Sequence, residues 1–169
     1  MKKNKLFYLL IIPLFSIAFL SCSDNNDNSY KEWRAENEAY IADIKEQATN
    51  STSVSEVFLD GGPGSIYREI IKSSESENGI FPLYTDQVDV RYKGELINGT
   101  VFDDASERIV SFNVNGVVKG FTIALQKMQV GDKWKVYIPW ELGYGYAGSG
   151  SKVPPYSALI FEIELLGFN

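Results

Sequence analysis

Three stretches of this chain alternate apolar and polar residues with a period of two. Residues 86–96 (DQVDVRYKGEL) set Val88, Val90 and Tyr92 against Asp89, Arg91 and Lys93. Residues 133–138 set Trp134, Val136 and Ile138 against Lys133, Lys135 and Tyr137. Residues 159–165 set Leu159, Phe161, Ile163 and Leu165 against Ile160, Glu162 and Glu164. A strand sends successive side chains to opposite faces, so this pattern predicts strands with one buried face. Residues 66–72 (IYREIIK) add a short strand, and Asn98-Gly99 marks a tight hairpin turn. Only residues 122–128 (TIALQKM) look helical here, with Ile123, Leu125 and Met128 available to pack. Several antiparallel strands covering one short helix make an α+β domain. Polar breaks at residues 60–64 and 73–78 and the Val130-Gly131-Asp132 turn separate these elements, and no internal repeat occurs.

Composition narrows the chemistry. The 169 residues contain no histidine, which removes the commonest general base and every Ser-His or Cys-His nucleophile pair. The single cysteine, Cys22, excludes internal disulfides and cysteine-rich metal clusters. A formal charge of −6 argues against nucleic acid as a partner.

The amino end reads as an address. Lys2, Lys3 and Lys5 precede an apolar run over residues 6–20, followed by Ser21-Cys22. The run is short for a membrane span and Pro13 interrupts it. A cysteine directly after such a core resembles a bacterial lipoprotein signal, although Phe19 stands where that family usually has leucine. The resemblance implies removal of residues 1–21, lipidation of Cys22 and anchoring in a membrane. Removal would take three lysines and no acids, moving the formal charge from −6 to −9. Residues 23–30 (SDNNDNSY) then form an acidic tether, or a signal for display at the cell surface. Ser23 after the cysteine resembles outer-membrane rather than inner-membrane sorting.

Residues 31–48 read as a helix with Trp33, Asn37, Tyr40, Ile41, Ile44 and Ala48 near one face. Three fates are open to it: docking on the domain, pairing with a second copy, or acting as a spacer. Residues 49–55 (TNSTSVS) read as a linker. The expected organisation is a signal over residues 1–21, a tether and helix over 22–55, and a folded domain over 56–169.

The domain carries no familiar catalytic set. Asp103 and Asp104 are adjacent, so in a strand they would point to opposite faces rather than form a carboxylate pair. No Gly-rich phosphate loop or metal-ligand spacing is present. What recurs is aromatic and aliphatic residues beside turns: Tyr92, Phe102, Val117-Val118, Phe121, Tyr144 and Phe161. Singly, each suits a core. Clustered around loops, they suggest a concave apolar binding site.

Six motifs in order, VDVRYKGEL, NGTVFDDA, NGVVKGF, LQKMQVGDKWKVYIP, LGYGYAG and VPPYSALIFEIELL, resemble the FKBP-type peptidyl-prolyl cis-trans isomerases over residues 66–166. The resemblance implies an antiparallel half-barrel wrapped around one short helix, here preceded by the N-terminal helix and signal peptide. It implies a pocket with Tyr92, Phe102 and Phe161 as walls, Phe121 as floor and Val117-Val118 closing one side. Asp103 becomes a carboxylate beside the bound prolyl segment, Tyr144 a hydroxyl donor, and the Val118 backbone N–H a donor to a substrate carbonyl. Val110 falls at an apolar edge position and Val153 at the apolar tip of a flap over residues 149–155. Two departures stand out. The floor is often tryptophan, so Phe121 implies a shallower grip, and Lys152 holds a flap position often apolar.

Such a site needs no cofactor, nucleophile, metal or proton acceptor, which fits the missing histidine. Rotation about an X-Pro bond meets a barrier of roughly 18–20 kcal/mol because the amide C–N bond is partly double. A water-poor aromatic hollow disfavours the polar planar amide more than the twisted one, and preferential binding of the twisted form is catalysis. The sequence thus suggests a lipid-anchored isomerase of exported or envelope proteins. A non-catalytic proline-segment binder or chaperone and an envelope lipoprotein with a vestigial pocket remain alternatives. Partners implied by the resemblance are proline-containing polypeptides and macrolide immunosuppressants.

Overall fold

The computed structural model describes residues 25–75 and 79–169, with side chains from residue 30 onward in the first helix. The segment expected as a signal, residues 1–21, and Cys22 lie outside the described residues. The first helix, α1 (Asn25–Asn50), leads into β1 (Val54–Phe58), β2 (Ser65–Lys72), β3 (Gln87–Glu95), β4 (Val101–Asp104) and β5 (Val110–Asn113). The short helix α2 (Lys119–Leu125), β6 (Lys133–Ile138) and β7 (Leu159–Phe168) complete the chain. The strands form one open antiparallel sheet in the order β1-β2-β6-β7-β3-β4. β5 pairs with β3 on the edge that β4 also uses: β4 takes Lys93–Glu95 and β5 takes residues 87–90.

The period-two pattern sorts the side chains as expected. Val88, Val90, Tyr92, Trp134, Val136, Ile138, Leu159, Phe161, Ile163 and Leu165 share the buried inner cluster with Phe121, Ile123, Ala124 and Leu125 of α2. Inward-facing neighbours meet across the sheet, with Val136 opposite Phe161 and Tyr92 opposite Ile163. The other face is covered only where it is greasy. Tyr67, Tyr137 and Ile160 stand among its polar positions, and they pack with Val54 and with Ile44 of α1. The expected stripe of α1 is the docked one: Asn37 and Ile44 are buried, and Trp33, Tyr40, Ile41 and Ala48 are half-buried. Of the three fates open to the helix, docking on the sheet is the one observed, with α1 and α2 on opposite faces.

Four local expectations need correction. The helix expected over 31–48 spans Asn25–Asn50, so most of the stretch expected as tether over 23–30 is helical. Residues 49–55, expected as linker, enter β1 at Val54. Val54 packs on the outer face and Val57 on the inner, so β1 has no period-two signal and is made a strand by pairing with β2. The four-residue β5 was likewise invisible, because only its non-local partner β3 extends it. The helix expected over 122–128 begins and ends earlier. Val118 is extended and its carbonyl accepts from the N–H groups of Phe121 and Thr122 at 2.9 and 3.1 Å, which starts α2 at Lys119. Gly120 lets the helix lie on Ile138, where a Cβ would collide. At the far end the N–H groups of Lys127 and Met128 bond three residues back, tightening the last turn into a 3-10 form.

Candidate active site

A hollow of about 380 Å³ opens where β3, β4, β5, β7 and the start of α2 converge. Tyr92 comes from β3, Asp103 from β4, Phe112 from β5, Phe121 from α2 and Phe161 from β7. Gly116, Val117 and Val118 line it from the 3-10 turn and N-cap before α2, and Tyr144 from the connection between β6 and β7. The Thr122 hydroxyl donates to the Val114 carbonyl at 2.7 Å, which ties that turn to the helix. Val118 is the N-cap residue just ahead of α2, where the first amides of a helix lack intrahelical acceptors.

In the aromatic wall Phe121 meets its neighbours edge to face, and Tyr92 is tilted against Phe112 and Phe161 at 55° and 56°. Phe121 lies 5.1 Å from Phe161 and 5.9 Å from Tyr92 between ring centres, with interplanar angles of 88° and 86°. Phe112 leans on both Tyr92 and Phe121 at 5.7 and 6.5 Å. Edges meeting faces in this way leave each ring held by its neighbours. At the polar edge the Tyr92 hydroxyl donates to Asp103 Oδ2 at 2.6 Å. Burial, and then this bond, push the Tyr92 phenol well above its ordinary value. Burial and the nearby Asp103 charge also raise Tyr144. Both hydroxyls are therefore neutral donors at physiological pH. Asp104 points the other way and accepts from the Ser106 N–H at 2.9 Å, as adjacent strand residues must. Arg91 pairs with Glu164, which leaves Tyr92 as the partner of Asp103.

Seven residues singled out from sequence line the hollow together: Tyr92, Asp103, Val117, Val118, Phe121, Tyr144 and Phe161. Phe102 stands one layer back. It is buried and meets Phe161 and Tyr144 edge to face at 5.4 and 6.5 Å, so it braces two wall rings. Gly94 permits this, since a Cβ there would sit 2.6 Å from Phe102 and 2.8 Å from Phe161. Val110 is half-buried, pairs with Val90 and packs against the core without lining the hollow. Val153, expected at an apolar flap tip, is 3% exposed and belongs to the core cluster. Its N–H and carbonyl both bond to Ser149, at 3.1 and 2.8 Å, folding residues 149–153 into a tight turn that drives the side chain inward. Lys152 closes this turn on the wall, its Nζ donating to the Phe102 carbonyl at 3.3 Å.

Two lining residues were missed, Phe112 and Gly116. A signal for Phe112 existed: it follows Val110 by two, so any strand placing Val110 on the pocket side places Phe112 there as well. Gly116 contributes backbone, which residue type alone does not advertise.

Comparison with known proteins agrees with this geometry. The sequence model of the FKBP-type peptidyl-prolyl cis-trans isomerase family matches residues 80–166. A 22 kDa FKBP-type peptidyl-prolyl cis-trans isomerase of Escherichia coli is 51% identical over 90 residues, covering 52% of this chain and 44% of that protein. The outer membrane protein MIP of Legionella longbeachae is 39% identical over 97 residues, covering 56% of this chain and 42% of the relative. This chain thus spans about half the length of the curated relatives it matches. The crystal structure of a peptidyl-prolyl cis-trans isomerase from Pseudomonas syringae superposes with a TM-score of 0.66 at 32% identity, covering 80% of this chain and 94% of the other. With the six motifs, the wall of crossed rings and the matched sequence in agreement, this chain belongs to the FKBP-type peptidyl-prolyl cis-trans isomerase family.

Proposed function

We propose that this chain catalyses cis–trans isomerisation of X-Pro bonds in polypeptides. The observation that carries the reading is the hollow itself, a cage of crossed aromatic rings with the Asp103 carboxylate and the Tyr92 and Tyr144 hydroxyls among its lining and Val118 beside them. The proline ring enters between Tyr92, Phe121 and Phe161. The Val118 N–H and the Tyr144 hydroxyl hold substrate carbonyls while the bond turns. Asp103, fixed by Tyr92, lies beside the prolyl segment. The water-poor wall favours the twisted amide, whose carbonyl is less polar, over both planar forms. No proton moves, so the absence of histidine costs nothing.

The test is isomerisation of a proline-containing peptide followed with and without the protein. Equal rates would exclude the reading. Loss of turnover in Asp103→Ala and Tyr144→Phe, with the fold retained, would locate activity in this hollow. The same reading includes occupation by macrolide immunosuppressants, checked by titration against Tyr92 and Tyr144 resonances.

The reading also places the protein in a bacterial cell envelope, anchored through lipidated Cys22 and facing exported or envelope polypeptides. Its supports are the basic start, apolar run and cysteine of residues 1–22, and the similarity to a protein named as an outer membrane protein. Among the described residues no helix is long and apolar enough to cross a membrane. Metabolic labelling with a fatty acid, abolished by Cys22→Ala, is the expected outcome. Labelling that survives the substitution would remove the lipid anchor from the account.

A further inference from the structure

Helix α1 lies on the face of the sheet away from the hollow, yet it reaches the connection that carries Tyr144. Trp33 Nε1 donates to Ser157 Oγ at 3.0 Å, and that hydroxyl donates to the Pro154 carbonyl at 2.7 Å. One turn on, Asn37 has no exposed surface. Its Oδ1 accepts from the Ala158 N–H at 2.8 Å and its Nδ2 donates to the Trp33 carbonyl at 2.7 Å. Ala158 stands just before β7 and beyond the end of β6, so no strand neighbour serves its N–H. An apolar residue at position 37 would bury that N–H unsatisfied.

A third contact joins the same pieces. The Arg34 guanidinium lies 4.9 Å from the Tyr156 ring centre and 5.3 Å from Trp140, and those two rings meet edge to face at 5.1 Å. Tyr156 holds a φ of 60°, a left-handed conformation that a bulky side chain keeps only when its surroundings impose it. Its N–H donates to the Gly145 carbonyl at 3.0 Å, one residue beyond Tyr144.

We propose that α1 is a positioning element of the catalytic unit. Asn37 and Trp33 act through Ser157 and Ala158 to set the placement of residues 144–158, and so of the Tyr144 hydroxyl over the hollow. This rests on the reading of the hollow as a prolyl site. Of the three rings that seat the proline, Tyr92 and Phe121 belong to β3 and α2, which make none of these bonds, and Phe161 lies three residues beyond Ala158 in β7, where pairing with β3 and β6 holds it. Loosening them is therefore expected to lower kcat and to leave KM nearly unchanged.

The experiment compares Asn37→Ala, Trp33→Phe and Ile44→Ala in the whole chain, measuring kcat, KM, thermal midpoint and backbone amide exchange. Ile44 anchors the same helix against Tyr67 and Tyr137, away from the connection. Expected for Asn37→Ala and Trp33→Phe is a kcat lower by about tenfold, a KM within about twofold of the wild type, and faster exchange at Ala158 and over residues 144–158. Ile44→Ala should lower the midpoint alone. Unchanged kcat and exchange in Asn37→Ala, or an equal loss of kcat in Ile44→Ala, overturns the proposal. If Asn37→Ala does not fold, Trp33→Phe, which keeps an aromatic side chain but loses the indole N–H and part of its packing, carries the test. A wild-type chain inactive on prolyl peptides refutes the isomerase reading, and the exchange measurement still decides the positioning claim.

Discussion

Replacing Tyr92 by phenylalanine isolates one interaction at the polar edge of the hollow. The ring keeps its contacts with Phe112, Phe121 and Phe161, and only the hydroxyl that donates to Asp103 Oδ2 at 2.6 Å is lost. A hydrogen bond to a charged group contributes roughly 1.5–3 kcal/mol. Asp103 is exposed and takes water in place of the phenol, so no buried acceptor is orphaned and the loss falls at or just below the lower limit, about 1–1.5 kcal/mol. For a chain of this length that lowers the thermal midpoint by about 3–6 °C. The released carboxylate also becomes free to turn. If its placement beside the prolyl segment is worth the same energy, kcat/KM falls about tenfold. The pH dependence has a definite sign. Tyr92 is held above its unfolded value of about 10, so its stabilisation is whole below that pH and is lost as pH rises through the folded value. The gap in midpoint between wild type and Tyr92→Phe should be full at pH 8 and shrink as pH climbs beyond about 10. Thermal unfolding followed by far-ultraviolet circular dichroism at both ends reads this directly. A gap that is absent at pH 8, or that widens with alkali, would refute the argument.

Gly94→Ala should destabilise by about 1–3 kcal/mol and lower turnover, because its Cβ displaces the Phe102 and Phe161 rings; urea unfolding and the prolyl assay measure both, and a neutral substitution would show that the wall yields freely. Asp132→Ala should cost about 2–4 kcal/mol, since this buried carboxylate accepts from the Ser74 and Gln129 N–H groups at 2.6 and 2.8 Å and both charge-assisted bonds are lost. Its effect on kcat should be slight, since it lies outside the residues lining the hollow. With both pocket phenols raised by burial and by Asp103, kcat/KM should be flat from about pH 7 to 9. An ionisation limb inside that window would reveal an acid–base group that the proposed chemistry does not use.

Much of the fold was legible because its strongest signals are local. Val88-Val90-Tyr92, Trp134-Val136-Ile138 and Leu159-Phe161-Ile163 carry their burial in the sequence, since strand geometry alone sends alternate residues to one face. The stripe of α1 was legible for the same reason, and the greasy exceptions Tyr67, Tyr137 and Ile160 mark where it lands. β1 and β5 were not, since each is short and owes its shape to a partner distant in sequence. The site divides in the same way. Rings beside turns announced a hollow, and adjacency alone separated Asp103 from Asp104. That Val153 turns inward depends on two bonds to Ser149. That Phe102 stands behind the wall depends on the room left by Gly94.

The sequence by itself determined which residues could be buried, where strands alternate, and that no histidine-based chemistry was available. Only the tertiary structure decided which of those buried residues face an opening and which face one another. Period and composition constrain a residue's own surroundings, whereas a cavity is set by long-range pairing and by how closely backbones approach.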